Sequence, residues 1–179
     1  FALLASSMMI NAGHPDSLDS DGSRMDVGAF PYLNLYSGPL WTVEANSGND
    51  VSGSGASESK FASIQAAINF ASDGDSVSVL PGTYVENIDF RGRNIKVVGS
   101  QSNTGLNPVI DGNQNGSCVQ FTSGETNGAV LSNFTITNGT GTDYGYTIGG
   151  GIFSINSSPT LKNLFVTGNS AVEGGGIGI

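Results

Sequence analysis

Apolar residues in this chain come in short runs that alternate with polar ones, and Gly, Asn, Ser and Thr fill the gaps. Val77 and Val79 alternate with Ser76 and Ser78. Tyr84-Val85-Glu86-Asn87-Ile88-Asp89-Phe90 alternates again, followed by Ile95 to Val98, Val109-Ile110, Val119 to Phe121, Ala129 to Leu131 and Phe134 to Ile136. A period of two carried by β-branched and aromatic residues predicts half-buried strands, here separated by turns such as Pro81-Gly82, Arg91-Gly92-Arg93-Asn94 and Asp111-Gly112. Two-residue hairpin turns are scarce. Most gaps are longer and irregular, which suits a chain that coils in one direction better than a meander.

A repeat supports the coil. Gly149-Gly150-Gly151-Ile152 returns 25 positions later as Gly174-Gly175-Gly176-Ile177, and Asn133-Phe134-Thr135-Ile136-Thr137 is echoed by Asn163-Leu164-Phe165-Val166-Thr167 at an offset of 30. The longer offset matches a polar insert between Gly139 and Ile148, expected as a surface loop between strands. A period of roughly 20 to 30 residues with short β-branched runs predicts a solenoid in which each coil buries its apolar face on the next. Phe134 and Leu164, and Ile136 and Val166, are the expected internal rows. Asn133 over Asn163 is the expected amide ladder at a bend.

One segment has helical spacing. Ile64, Ala67, Ile68 and Ala71 recur at i, i+3, i+4 and i+7, with Ser63 as the expected N-cap and Gly74 as the expected C-terminal stop. So short a helix with so narrow an apolar stripe is best used as a lid over a sheet end. Residues 1–38, rich in turn formers, read as the C-terminal end of a preceding domain, itself a solenoid. Residues 39–60 read as a Gly/Ser/Asn linker with a short strand at Trp41–Glu44. Residues 61–179 read as a cap and first coils that break off in mid-pattern, so the whole is expected to be a fragment. The apolar opening FALLASSMMI has no basic residue and is not read as a signal peptide.

Charge narrows the partners. Fifteen acidic against six basic side chains, a formal net charge of −9, argue against nucleic acid or an anionic membrane surface. No apolar run approaches the roughly 20 residues of a spanning helix. Arg91, Arg93 and Lys96 are the only close basic group, expected to solvate an edge. Cys118 stands alone, which leaves no internal disulfide, and its strand-like setting predicts packing rather than a reactive thiol.

Candidate chemistry is sparse. Asp19, Asp21 and Asp26 around Gly22 offer oxygens to a hard cation such as calcium. The spacing fails the EF-hand pattern, since Gly22 in the sixth position puts Ser17 first and Gly28 twelfth, and Asx-turns capped by Arg24 are the favoured reading. His14, the only histidine, is expected as an exposed polar residue of a turn. Asn115, Asn133, Asn138 and Asn156 open Asn-X-Ser/Thr triplets, which are glycan acceptors in a eukaryotic secretory pathway and are equally explained as turn residues. No catalytic, cofactor or metal residue is assigned.

On Ser63-Ile64-Gln65-Ala66-Ala67-Ile68, Asp73-Gly74-Asp75, Pro81 to Ile88, Val97-Val98-Gly99 and Ile110-Asp111-Gly112, the chain resembles the cap and first coils of right-handed parallel β-helix proteins of the pectin-lyase-like superfamily. These stretches are similar to the opening of pectin methylesterases. The Gly-Gly-Gly-Ile units resemble the repeats of bacterial surface β-helices, and residues 1 to 32 look like a segment that closes one such β-helix before another begins. The resemblance implies an all-β, right-handed parallel β-helix with a short N-terminal capping helix, in a secreted or bacterial cell-surface protein. It is specific for fold and weak for activity. The Asp pair, Arg and Gln motifs of pectin methylesterases have no counterpart here, and Glu125, Asp143, Glu173 and Lys162 give no converging acid–base set. The expected function is a non-catalytic extracellular scaffold presenting a long face to glycans or partner proteins. Tyr144 and Tyr146 in the insert either stack on sugar rings or clamp the loop to the coil. The alternative is a polysaccharide-active enzyme, of the pectin methylesterase or lyase kind, with its site on coils beyond residue 179.

Overall fold

The computed structural model describes residues 2–179; Phe1, the head of the apolar opening, lies outside the described residues. In chain order the elements are β1 (Leu40–Val43), α1 (Ile64–Phe70), β2 (Ser76–Val79), β3 (Thr83–Val85), β4 (Ile88–Asp89), β5 (Lys96–Gly99), β6 (Val109–Asp111) and β7 (Val119–Phe121). They continue with β8 (Val130–Ser132), β9 (Thr135–Thr137), β10 (Thr142–Asp143), β11 (Thr147–Ile148), β12 (Ile152–Ser154), β13 (Thr160–Lys162), β14 (Phe165–Val166) and β15 (Ile177–Gly178).

All strands but β10 and β11 belong to three parallel sheets, ordered β1-β2-β5-β8-β13, β3-β6-β9-β14 and β4-β7-β12-β15. From β2 onward the chain visits the three in one cyclic order, so each strand pairs with the strand laid down a coil earlier. The sequence repeat is this register: Ile152 pairs with Ile177, and Thr135 and Ile136 pair with Phe165 and Val166. Spacing along the chain varies widely, with Ser76 beside Lys96 and Lys96 beside Val130 in the same sheet. The surplus residues go to the corners, and the sheets keep their register. The result is a β-rich, solenoid-like body with parallel sheets and one short helix.

Alternate residues of many strands in the three sheets fill the centre. Val77, Val97 and Leu131, Ile110 and Ile136, and Ile88, Val119 and Ile152 are buried rows from the three sheets. Phe90 and Phe121 pack with ring centroids 4.3 Å apart. At one corner Asn133 (φ 63) and Asn163 (φ 50) adopt the left-handed conformation that Asn tolerates. The expected amide ladder is present: Asn163 Nδ2 donates to Asn133 Oδ1 at 3.1 Å, and Asn133 Nδ2 donates to the Gly99 carbonyl at 3.3 Å. The Gly-Gly-Gly-Ile units serve another corner. Gly149 (φ 64) and Gly174 (φ 60) are left-handed, and a Cβ on either would run into the backbone carbonyl of the isoleucine three residues on.

The helix lies against β1, β2 and β4 at one end of the stack. Ser63 Oγ accepts from the Ala66 N–H at 3.3 Å, as its N-cap position predicts. Glu86, distant in sequence, takes two more of the free donors, from Ile64 N–H at 2.8 Å and Gln65 N–H at 3.0 Å. The helix ends at Phe70 with Ala71 extended, short of the predicted stop. Gly74 (φ 92) shapes the next turn instead, donating to the Asn94 carbonyl at 3.0 Å.

Residues 2–39 contain no strand, yet Ala5, Ile10 and Tyr32 are buried in the same core as Trp41, Phe61 and the helix. Asn69, fully buried on α1, ties them down. Its Nδ2 donates to the Ala5 and Ser7 carbonyls at 2.9 and 2.8 Å, and its Oδ1 accepts from Arg91 Nη1 at 2.7 Å and Gln65 Nε2 at 3.1 Å. Arg91 also reaches the Ile10 carbonyl at 3.1 Å, and Arg93 reaches the Asn69 carbonyl at 3.0 Å. The expectation that this basic group solvates an edge holds only for exposed Lys96, because the helix-end carbonyl of Asn69 draws Arg93 inward and the Ile10 carbonyl and Asn69 Oδ1 draw Arg91. Within 39–60, β1 joins the five-stranded sheet. The tract behind it is folded into turns, with the Gly55 carbonyl accepting from Thr42 N–H at 2.7 Å and the Ser59 carbonyl accepting from Gly55 N–H at 2.8 Å.

Candidate functional site

Among the described residues the insert forms a strand pair outside the three parallel sheets, and it is a hairpin rather than a plain loop. β10 and β11 pair antiparallel, Thr142 with Ile148 and Asp143 with Thr147. Gly145 (φ 87) makes the turn, its N–H held by Asp143 Oδ1 at 3.0 Å. The base is fastened on both sides. Ser117 and Thr142 share a hydroxyl–hydroxyl bond of 2.8 Å, and the Thr147 carbonyl accepts from Glu173 N–H at 3.1 Å. Tyr144 leans on Phe153 with ring centroids 6.2 Å apart at 48°, yet stays 63% exposed, and Tyr146 is 47% exposed. Tyr144 therefore contacts the coil, as the clamping expectation has it, while the residue stays largely exposed.

The carboxylates of the coils serve the backbone. Glu125, almost wholly buried, accepts from Gly92 N–H at 2.7 Å, Ser123 N–H at 3.0 Å and Ser157 Oγ at 2.7 Å. Burial works to raise its pKa, but these donors outweigh burial and hold the carboxyl below the usual range. The Glu86 carboxyl is enclosed beneath the helix N-terminus, and burial pushes it up to about 7 against the pull of its two N–H donors. Burial likewise raises Asp89, whose Oδ1 accepts from Arg91 N–H at 2.7 Å. No hydrogen bond or ion pair joins any two of Glu125, Asp143, Glu173 and Lys162 among the described residues.

The acidic cluster near Gly22 is also committed to the backbone. Asp21 closes an Asx-turn on Ser23 N–H at 3.0 Å and accepts from Asn34 N–H at 2.7 Å. Asp26, buried, accepts from Asn11 N–H at 2.7 Å and Tyr32 N–H at 2.8 Å, and Asp19 accepts from Asp26 N–H at 2.9 Å. Arg24 does not cap these turns. Its Nε donates to the Gly13 carbonyl at 2.8 Å, because the carboxylates already have nearer donors. Among the described residues no three His, Cys, Asp or Glu side chains gather in a way that could hold a metal ion. His14 lies exposed beside Asp16 at 3.9 Å.

Cys118 is fully buried, with Sγ donating to the Thr137 carbonyl at 3.1 Å, and burial pushes its thiol up to about 11. Of the four triplet asparagines, Asn115, Asn138 and Asn156 are exposed, while Asn133 is half-buried in its ladder. No protein-family model, no curated protein and no solved structure matches the chain.

Proposed function

We propose that this chain is a right-handed parallel β-helix of the pectin-lyase-like kind and works as a non-catalytic scaffold in an extracellular or cell-surface protein, offering its β10–β11 hairpin to glycans. The right-handed wrap is supported by the three parallel sheets visited in cyclic order, since parallel strands of one sheet are joined by right-handed connections in about 98% of cases. The observation that carries the binding reading is the hairpin. It adds two strands outside the three sheets and carries two exposed tyrosines two positions apart in sequence, and amphipathic rings of this kind suit the apolar faces and hydroxyls of sugars. The coil carboxylates Glu86, Glu125 and Asp89 hold backbone groups, so the scaffold reading asks nothing further of them.

A glycan array probed with the chain and with a Tyr144→Ala/Tyr146→Ala variant tests the reading. Binding by the parent that the variant loses at unchanged melting temperature is the expected result. A silent array, or equal binding by both, overturns it, and release of demethylated or unsaturated sugars would favour the enzyme instead.

A further inference from the structure

Three of the six basic side chains of this acidic chain meet at the capped end of the stack. A cleft of about 380 Å³ lies there between the N-terminal segment and the end of α1, with Asn11, Ser23, Arg24, Ser72, Asp73 and Arg93 among its lining residues. Arg24 comes from the N-terminal segment and Arg93 from the turn between β4 and β5. Arg91 stands behind, sharing Asn69 with Arg93. Each guanidinium has five N–H donors. The bonds seen are one from Arg24, one from Arg93 and two from Arg91, all to backbone carbonyls or an amide oxygen. Among the described residues no carboxylate oxygen lies within 4.0 Å of any of the three.

Like charges in a partly buried cleft repel one another unless an anion is present. Burial and the neighbouring guanidiniums accordingly hold Arg93 down to about 10. Asn11 adds a buried acceptor that lacks a donor and so calls for a ligand that keeps an O–H rather than a bare anion. Its Nδ2 is fixed on the Asn69 carbonyl at 3.0 Å, and its Oδ1 is buried without a donor. Asp73 shares the lining and gives one oxygen to Asn94 N–H at 2.8 Å. A carboxylate in this place disfavours a fully ionised anion and favours one that keeps an O–H.

We infer that this cleft binds a phosphate group, free or as a monoester, held between the forks of Arg24 and Arg93 and presenting its protonated oxygen to Asp73. Guanidinium forks match phosphate oxygens in pairs, and its remaining hydroxyl distinguishes hydrogen phosphate from sulfate. The bound group ties the N-terminal segment to the helix end through two arginines from distant parts of the chain.

Thermal unfolding and calorimetric titration with inorganic phosphate test the site, with sulfate and chloride at matched ionic strength. The expected result is a rise in melting temperature of about 5 °C at about 10 mM phosphate, smaller with sulfate and absent with chloride. Arg24→Gln is the diagnostic variant, because Arg24 is exposed and its loss spares the Asn69 hub; it should keep the fold and lose the phosphate gain. An equal gain from chloride, or an undiminished gain in Arg24→Gln, overturns the site. A glucose 6-phosphate titration distinguishes a monoester site from one that admits the free ion alone.

Discussion

Asn69→Ala should detach the N-terminal segment from the stack. The side chain is fully buried and makes four hydrogen bonds, three to neutral partners and one to the Arg91 guanidinium. Neutral bonds contribute about 1 kcal/mol each and a charged one about 2, and truncation also strands the Ala5 carbonyl away from water. Because the four are coupled through one side chain, a loss of about 4 kcal/mol is expected, a large share of the roughly 5–15 kcal/mol of a typical domain. Urea unfolding followed by Trp41 fluorescence measures it, since Trp41 stacks on Phe70 of α1 with ring centroids 6.1 Å apart. Hydrogen exchange should show where the loss falls: the Ala5 and Ile10 amides, bonded to the Asp50 and Ser7 carbonyls, should open well before Val97 in the sheet. Asn69→Asp, equal in shape, should be comparably harmful because it points an oxygen at two carbonyls. A loss below about 1 kcal/mol, or protection falling evenly through cap and sheets, would refute the reasoning.

Other substitutions probe the corners and the buried groups. Gly149→Ala places a Cβ against the Ile152 carbonyl at a left-handed φ of 64 and should cost about 2–3 kcal/mol in chemical denaturation. Asn133→Ala should cost about 2 kcal/mol and Asn133→Gly about 1, the difference being the left-handed backbone and the remainder the ladder bond. Cys118, with its thiol raised to about 11, should resist iodoacetamide at pH 8 in the folded protein and react once urea unfolds it. The Glu86 carboxyl is raised above its unfolded value to about 7, so the folded state holds the proton more tightly. Its stabilising contribution is complete below the ordinary carboxylate range and disappears as pH rises through about 7. Melting temperature should fall over that window in the parent, and Glu86→Gln should flatten the slope.

The repeats were legible because the coil registers are written in them. Both echoes, at 25 and 30 residues, are pairings in the sheets, and the amide ladder follows from two asparagines that are neighbours only across that register. The helix and its Ser63 cap were legible from local periodicity. The hairpin was missed as a hairpin because its strands are two residues each, too short for alternation to register, although Asp143-Tyr144-Gly145 between threonines carries the turn chemistry. The roles of Glu86, Asn69 and the three arginines were invisible for a different reason. Apart from the bond of Asn69 to Gln65, one turn away on the helix, the partners of Glu86 and Asn69 lie 21 to 64 positions away along the chain, and proximity to them comes only from the wrap. A buried asparagine and an exposed one look alike in sequence.

Closing one end of the stack with α1 and the N-terminal segment gives the molecule a direction. In a body whose parts touch mainly their neighbours, order can be lost only from a face with no neighbour, and the buried Asn69 and aromatic cluster Trp41, Phe61 and Phe70 deny that at the β1 side. Fraying and proteolytic trimming should therefore not begin at the β1 side, and the amides of the helix should be among the last to lose protection.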